Sequence, residues 1–262
     1  MNKRLRLLAS FLALALAAST VGAQSRPVEL LLYCGITMVR PMTEIARAFE
    51  KRENVKIVIS QGGSEDLYQS AKKTAIGDWY LPGDPTYRDK YLAEGLFGEY
   101  VVVGYNQMAM MVQKGNPKKV KPDPRELLRK DLVVIIGNAE SGSVGQETKR
   151  ILDQLGIYPQ VLKNAAFIAP DSRSLMLALR NDEADLTMSW RATGFFTENA
   201  AKIDVIDLPP TIAKPQPILL NLLKSTRHPE LAKRFMAFAA GEEGQAIFRK
   251  HGFYDNRAFP VR

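Results

Sequence analysis

Hydroxyl side chains stand at the beginning of four predicted helices, each of which follows a predicted strand across a short turn. They are Thr37, Ser64, Ser141 with Ser143, and Ser172 with Ser174. The first peptide N–H groups of a helix have no partner inside the helix and carry a partial positive charge, so such helix starts bind oxyanions. Turns of this kind, facing each other across a cleft, would form an uncharged cage rich in hydrogen-bond donors.

The same hydroxyls have a purely structural interpretation. Serine and threonine are common helix N-caps, worth about 1 kcal/mol to a helix without any ligand. A single turn therefore predicts nothing about function, and it is the repetition of the pattern that favours an anion site. Glycines would let the backbone approach a ligand closely, and they occur near these turns at positions 35, 62, 63, 142 and 145.

Three arginines follow these motifs closely enough to add charge to such a site. Arg40 lies in the first turn of the first helix, Arg173 directly follows a helix-start serine, and Arg191 follows Trp190. A guanidinium binds an oxyanion through two parallel hydrogen bonds. The alternative for each is a pair with a carboxylate, for which the candidates are Asp66, Asp171 and Glu140. Trp190 ends a predicted strand, where it packs either beside a ligand or in the core.

Metal and cofactor chemistry have little support in the composition. The chain has one cysteine, Cys34, which excludes a disulfide framework and a cysteine-rich zinc site. That thiol could bind a soft metal or arsenite, but we favour a small buried hydrophobe. Both histidines, His228 and His251, lie near the C-terminus, which argues against a histidine-built metal site or catalytic triad. We expect no metal and no cofactor.

The first residues form a predicted export signal. A basic head of three cations precedes the apolar run 7–18, and small residues at 21–23 provide a cleavage site after Ala23. The alternative, a membrane anchor, would need a longer run to span roughly 30 Å of hydrocarbon. Removing three cations lowers the formal net charge from +8 to +5. The remaining lysines are scattered, so we expect no nucleic-acid partner.

The mature chain reads as an α/β protein. The full chain is 46% hydrophobic and 24% charged, which is typical of a globular protein. Predicted strands and helices alternate, which indicates mostly parallel sheets with helices on both faces. The predicted strands are 28–33, 56–60, 79–81, 100–104, 107–113, 132–137, 165–168, 186–190, 203–208 and 218–223. The predicted helices are 39–50, 67–76, 87–95, 125–128, 144–155, 174–181, 229–240 and 243–251.

Near Tyr100 the alternation of predicted strands and helices is interrupted. This interruption predicts two lobes joined by two crossings of the chain. After the signal peptide 1–23, the expected first lobe comprises 24–104, the second lobe 105–217, and the return to the first lobe 218–262. Two such sheets would leave a ligand cleft between the lobes, at the carboxyl ends of their strands.

Three stretches carry a resemblance to a known family. They are the strand, turn and helix of 32–50, the serine-containing turn 60–64, and the closing helix with Gly-Phe at 244–253. The chain resembles the periplasmic solute-binding proteins of ABC importers over 28–253, and is most similar to the molybdate- and tungstate-binding group. The resemblance implies a type II periplasmic-binding-protein fold that closes around a small tetrahedral oxyanion. It also implies a periplasmic monomer that docks on an ABC permease in the inner membrane.

The same resemblance implies particular binding residues. Thr37 and Ser64 would supply hydroxyl and amide donors from the first lobe. The backbone N–H of Val144, beside Ser143, and the turn at Ser172 would supply donors from the second lobe. The family has a tyrosine where this chain has Trp190, and it has no arginine at the position of Arg40.

Other functions remain open at this point. The same fold could bind a phosphate, sulfate or arsenic oxyanion, or ferric iron held by Tyr33, Tyr80 or Tyr105. It could also serve a sensory partner instead of a permease. The run Ser141–Gly145 superficially suggests the nucleophile turn of an exported hydrolase, but it lacks the Gly-x-Ser-x-Gly spacing. We therefore expect binding without catalysis.

Overall fold

The computed structural model describes residues 26–255 and residue 258, so the predicted signal peptide lies outside the described residues. The strands in the described part are β1 (Val28–Gly35), β2 (Val55–Gly62), β3 (Trp79–Leu81), β4 (Phe97–Asn106), β5 (Met108–Gln113), β6 (Ile135–Gly137), β7 (Phe167–Ala169), β8 (Leu186–Trp190), β9 (Ile203–Asp207) and β10 (Gln216–Leu223). The α-helices there are α1 (Val39–Glu50), α2 (Ser64–Thr74), α3 (Thr86–Tyr91), α4 (Ser143–Gln154), α5 (Tyr158–Asn164), α6 (Ser172–Arg180), α7 (Thr197–Ala200), α8 (Pro229–Ala240) and α9 (Glu242–Lys250).

Five strands form one sheet in the order β2-β1-β3-β10-β4. Strand β1 is parallel to β2 and to β3, whereas β10 is antiparallel to both of its neighbours, β3 and β4. We call this sheet with its helices the first lobe. Its last strand, β10, returns to it after the chain has built β5–β9.

The second lobe is built on two smaller sheets. Strand β5 lies between β8 and β9 and is antiparallel to both, while β6 and β7 are parallel. A parallel bridge between Val134 and Leu186 joins the two sheets edge to edge. Among the named strands, every antiparallel pair includes β5 or β10. These are the strands by which the chain passes from one lobe into the other. The predicted α/β class, with helices against sheets that contain parallel strands, is confirmed.

Strand β1 is buried on both faces of its sheet. Leu30, Leu32 and Cys34 pack in one core with buried side chains of α1, α8 and α9, and Tyr33 packs in the other with those of α2 and α3. Burying a Leu-sized side chain is worth roughly 1.5–3 kcal/mol. If the pairing of β1 with its neighbours slipped by one residue, every side chain of β1 would turn to the opposite face of the sheet. The two cores therefore fix the position at which β1 ends.

Two chain segments connect the lobes, and one side chain ties them together. Gln107 stands alone between β4 and β5, and the residues 208–215 lead from β9 to β10. The buried Gln107 amide Nε2 donates to the carbonyl oxygens of Leu208, at 2.9 Å, and Ala213, at 2.7 Å. Whether the lobes behave as separate domains with the predicted boundaries stays a prediction.

Several differences from the predicted elements concern boundaries and short helices. Helix α2 begins at Ser64 rather than at residue 67, and α6 begins at Ser172 rather than at 174. Helix α5 was not predicted, because its apolar residues are few. None of the described helices is both long and apolar enough to span a bilayer.

Cys34 is completely buried at the end of β1, where its Sγ contacts the carbonyl oxygen of Gly35 at 3.5 Å. Burial raises the pKa of the thiol, so the reactive thiolate is suppressed. This environment supports the interpretation of Cys34 as a small hydrophobe.

We expect Cys34 to be unreactive in the native protein. An aromatic disulfide reagent should release no chromophore from the folded chain and one equivalent after unfolding in guanidinium, because only unfolding exposes the thiol. Rapid labelling of the folded protein, with no loss of structure by circular dichroism, would contradict the burial.

Candidate functional site

The beginnings of four helices meet around one small cavity between the lobes. The first lobe contributes the 3-10 turn Ile36–Met38 that leads into α1, the start of α2, and Gly83. The second lobe contributes the starts of α4 and α6. The lining residues are Gly35, Ile36, Thr37, Gly62, Gly63, Ser64, Gly83, Gly142, Ser143, Val144, Asp171 and Ser172. The cavity is small: its volume is about 20 Å³, slightly more than the 10–15 Å³ or so that a single water needs.

Strand register explains why these helix starts meet. In the parallel pair β1 and β2, Gly35 lies opposite Gly62, so the helices that follow both strands begin side by side. In the second lobe, Gly137 lies opposite Ala169 in the parallel pair β6 and β7, and α4 and α6 follow. Each lobe therefore presents two helix starts at the carboxyl edge of its sheet, as open α/β sheets do.

Two of the buried hydroxyls are held so that they can donate to a ligand. Ser64 Oγ accepts a hydrogen bond from the N–H of Gly83 at 3.0 Å, and Ser143 Oγ accepts one from Trp190 Nε1 at 3.2 Å. A hydroxyl that already accepts in this way keeps its proton for another acceptor. The buried hydroxyls of Thr37 and Ser172 make no hydrogen bond to any residue that the structure describes.

None of these hydroxyls caps its helix. Within the described residues, the starts of α1, α2 and α4 have no side-chain cap, and the residues before α2 and α4 are Gly63 and Gly142. Helix α6 is capped by Asp171, whose Oδ1 accepts from the N–H of Ser174 at 2.8 Å. The capping interpretation is therefore wrong for these four hydroxyls. Ser64, Ser143 and Ser172 are the first residues inside their helices, and Thr37 lies in a 3-10 turn, Ile36–Met38, whose last residue holds the cap position of α1.

The three predicted arginines lie outside this cavity. Arg40 forms an ion pair with Glu198, and Arg173 Nη2 donates to Gln61 Oε1 at 2.8 Å. Arg191 Nε forms an ion pair with Asp207 Oδ1 at 2.7 Å. The predicted carboxylate partners Asp66, Asp171 and Glu140 were wrong, because the observed partners come from segments that are distant in the chain. Arg40 and Arg173 line a neighbouring cavity instead.

Trp190 lies behind the cavity wall rather than in it. Its side chain is buried, and its indole N–H is used by Ser143. Val144, by contrast, lines the cavity at the second position of α4. Of the nine residues predicted for the site, five line the cavity: Thr37, Ser64, Ser143, Val144 and Ser172.

The lobes touch through backbone at the cavity rim. A methyl group added to Gly63 would lie 2.7 Å from the carbonyl oxygen of Ser141 in the other lobe, and one added to Gly83 would overlap Ser143 Oγ. Both glycines therefore allow a close approach of the lobes. The sequence singled out Gly63, but it gave no reason to single out Gly83, which follows a three-residue strand.

Tyrosine and histidine side chains do not form part of this cavity. The Tyr33 hydroxyl contacts Thr74 Oγ1 at 3.2 Å, and Tyr80 OH donates to the carbonyl oxygen of Ser64 at 2.9 Å. Burial raises the pKa of Tyr80 well above its usual value and also raises the pKa of Tyr105. His251 Nε2 lies 3.0 Å from Glu44 Oε2. No cluster of three metal-ligating side chains occurs within the described ranges.

Two buried acids face each other across the lobes beside the cavity. Asp84, which directly follows Gly83, accepts a hydrogen bond from the N–H of Thr86 at 2.8 Å. The carboxylate of Glu147 on α4 accepts two bonds from Arg150, each at 2.6 Å. Burial raises the pKa of Asp84, and the negative charge of Glu147 raises it further, while Thr86 and Arg150 act in the opposite direction.

Comparison with known proteins identifies relatives across most of the chain. A family model described as bacterial extracellular solute-binding protein matches residues 30–254. The molybdate-binding protein ModA of Mycobacterium tuberculosis is 23% identical over 239 residues, which cover 90% of this chain and 88% of that protein. The periplasmic molybdate-binding protein of Azotobacter vinelandii has a TM-score of 0.74 at 19% identity, covering 86% of this chain and 98% of that one.

A second similar structure is that of the sulfate-binding protein SubI of Mycobacterium tuberculosis. Its TM-score is 0.74 at 16% identity, and the match covers 89% of this chain and 92% of that one. At these identities the structural matches establish a common fold.

We expect Asp84→Asn to stabilise the protein at neutral pH. A raised pKa means that ionisation of Asp84 disfavours the native state: the cost is absent below the ordinary pKa of 3.8, grows as the pH rises to the raised pKa, and is complete above it. Asparagine keeps an oxygen for Thr86 but carries no charge.

Thermal melts between pH 4 and pH 7 test this expectation. The variant should melt above wild type at pH 7, and the difference should shrink toward pH 4. An equal difference at both pH values, or a variant that melts lower at pH 7, would refute the assigned cause.

Proposed function

The chain belongs to the bacterial extracellular solute-binding proteins, and from that membership we propose that it captures a small tetrahedral oxyanion of the molybdate and tungstate type for an ABC importer. The observation that carries this proposal is the meeting of four helix starts from both lobes at one small cavity lined by buried hydroxyls. ModA relatives and the molybdate- and sulfate-binding structural neighbours support an oxyanion as the ligand.

The proposed binding energy comes from hydrogen bonds and helix dipoles rather than from a counter-ion. Each helix start carries the equivalent of about half a positive charge, and hydrogen bonds to a charged group contribute about 1.5–3 kcal/mol each. The lining includes one charged side chain, that of Asp171, whose carboxylate caps α6. A donor-rich wall of this kind suits a fully ionised anion.

We propose that the lobes close over the anion by bending at the two crossings near Gln107 and 208–215. Closure of this type removes water from the ligand and completes its hydrogen bonds. The loaded protein would then present both lobes to a permease in the inner membrane, after export of the chain to the periplasm as a monomer.

Binding without chemical change is the function that the site supports. A serine nucleophile needs a neighbouring base, but the partner of Ser143 Oγ is the indole N–H of Trp190, which only donates. The imidazole of His251 contacts Glu44. An esterase function therefore has no support in the contacts around Ser143.

Ferric iron is a weaker candidate on the same fold. Iron of this kind needs phenolate oxygens, whereas burial raises the pKa values of Tyr80 and Tyr105. The Tyr33 and Tyr80 hydroxyls are also engaged, by Thr74 and by the carbonyl of Ser64. A sensory partner in place of a permease would use the same ligand site.

Removing two cavity hydroxyls should weaken oxyanion binding. We expect Thr37→Ala combined with Ser64→Ala to cost roughly 3–6 kcal/mol of binding free energy, because two bonds to a charged ligand are lost. Calorimetric titration with molybdate, tungstate, sulfate and phosphate measures the effect and ranks the anions.

The matched control is Thr43→Ala combined with Ser70→Ala. These residues lie on the same two helices, α1 and α2, outside the cavity, and the hydroxyl of Thr43 donates to the carbonyl of Val39 at 2.7 Å. Equal losses in both double variants, or no binding of any oxyanion by wild type, would refute the proposed site.

Adding one methyl group to the rim should hinder closure without unfolding the protein. Gly63 has φ −65° and ψ 147°, a conformation that alanine readily adopts, yet the methyl group would meet the Ser141 carbonyl at 2.7 Å. We expect Gly63→Ala to weaken oxyanion binding at least about tenfold and to keep the protein more extended in small-angle scattering with ligand present.

Gly98→Ala provides the control for this change, because Gly98 does not line the cavity. Its added methyl group would lie 3.5 Å from Leu222, which is ordinary van der Waals contact within the first lobe. If Gly98→Ala and Gly63→Ala weakened binding equally, the contact between lobes would not be the cause.

A further inference from the structure

A second and larger cavity, of about 210 Å³, adjoins the first and shares Ile36 and Ser172 with its walls. The charged residues in its lining are three cations and one acid, namely Arg40, Arg173, Arg180 and Glu198. We call it the arginine cavity. Its lining carries a formal surplus of two positive charges, which favours an anionic group as its occupant.

Both lobes build the arginine cavity. The first lobe contributes residues from the segment 36–40, and the second lobe contributes residues of α6 and of the chain between β8 and β9. Two contacts join the lobes at its rim. Arg40 forms an ion pair with Glu198, and Arg173 Nη2 donates to Gln61 Oε1 at 2.8 Å. The cavity therefore has all of its walls only while the lobes are in contact.

Most of the positive charge in the arginine cavity has no acid beside it in the part of the chain that the structure describes. Arg40 has Glu198, but the partner of Arg173 is the neutral amide of Gln61. Arg180 makes no ion pair or hydrogen bond with the described residues, and its Nε is buried without a partner. A buried donor without an acceptor is costly, so a carboxylate that entered the cavity would remove this cost.

One buried acceptor in the same wall lacks a donor among the described residues. Asn199 is 3% exposed, and its Nδ2 donates to the carbonyl of Thr193 at 2.6 Å, but its Oδ1 has no hydrogen bond. An ionised carboxylate cannot satisfy this oxygen, because it only accepts hydrogen bonds. The occupant must therefore bring a donor such as an N–H group close to its carboxylate, which a fully ionised inorganic anion cannot do.

The floor between these polar groups is apolar. Met176 and Phe196 are buried there, and Met176 lies one turn before Arg180 on the same face of α6. Helical side chains lean toward the helix N-terminus, so the side chain of Arg180 extends toward Met176. A short aliphatic stem can pack on this floor while its carboxylate reaches the guanidinium. Glutamate has such a side chain, and the peptide groups beside it supply the missing N–H donor.

We propose that the arginine cavity is a docking point for an acidic side chain of the permease, and that docking there depends on closure of the lobes. Arg173 and Arg180 bind the carboxylate of a glutamate on an extended loop, and Asn199 Oδ1 accepts a hydrogen bond from a peptide N–H of that loop. Because the walls come from both lobes, the loop binds tightly only when the cargo holds the lobes together. This inference rests on the proposed function, since it needs a cargo that closes the lobes.

A matched set of three probes tests the inference. The pentapeptide Ser-Ala-Glu-Ala-Ser, acetylated and amidated at its ends, carries the carboxylate, the stem and the peptide N–H groups. Its counterpart with a central glutamine lacks the charge, and butyrate lacks the N–H groups. In the presence of saturating molybdate, or of the inorganic anion that binds best in calorimetry, wild type should bind the glutamate peptide at least about tenfold more tightly than either other probe.

Omitting the inorganic anion tests the dependence on closure. We expect the glutamate peptide to bind at least about fivefold more weakly without the anion, and the peptide to strengthen binding of the anion by the same factor, because such coupling is reciprocal. NMR titration of isotope-labelled protein measures these affinities. It also follows the Nε–H signal of Arg180, which should shift with the glutamate peptide and stay in place with the glutamine peptide.

The variants Arg180→Met and Arg173→Met test the carboxylate contacts. Each should weaken binding of the glutamate peptide about tenfold while changing the affinity for the inorganic anion less than about threefold. Arg47→Met is the control, because Arg47 is exposed on α1 and lines neither cavity. Melting curves check that each variant is folded, and two variants guard against the misfolding of one.

The outcomes separate this inference from the proposed function. If inorganic oxyanions bind but the glutamate peptide has no advantage over the glutamine peptide, or only matches butyrate, the inference is wrong and the proposed function stands. The same holds if the anion leaves peptide binding unchanged. If no oxyanion binds to wild type, the proposed function is wrong and the inference falls with it. A glutamate preference that needs the anion, disappears in Arg180→Met and persists in Arg47→Met supports the inference.

Discussion

The first peptide N–H groups of a helix have no partner inside the helix, and this protein brings four helix starts together around one cavity. Two in-register parallel strand pairs bring the starts together, with Gly35 opposite Gly62 and Gly137 opposite Ala169. The sheets therefore determine where positive potential accumulates, without any lysine or arginine in the cavity. An acceptor that satisfies these groups would complete the hydrogen bonding of the helices as well as its own.

The sequence predicted this arrangement to the extent that it follows from local pattern and parallel pairing. Thr37 and Ser64 could be identified because a buried strand, a turn and an amphipathic helix follow one another, and parallel strands place their carboxyl ends at one edge. The role of the hydroxyls as caps could not be decided in the same way. Helix ends shift by one or two residues, and that shift decides whether Ser64 precedes its helix or lies inside it.

The positions of the arginines could not be read from spacing, because their contacts join distant parts of the chain. Arg40 meets Glu198 and Arg173 meets Gln61, across the two lobes in both cases. Arg180 gave no signal at all, since a basic residue in the last turn of a helix is ordinary. What distinguishes it is a buried Nε without a partner among the described residues, which is a property of the folded chain.

Gln107 connects the two crossings through a single amide, which donates to the carbonyl groups of Leu208 and Ala213. These two bonds couple the crossings, so the lobe closure proposed above would have to move both crossings together. A membrane receptor that touched both outer faces would then sense the cargo through the crossings, and the coupling between them depends on one uncharged side chain that does not line the cavity.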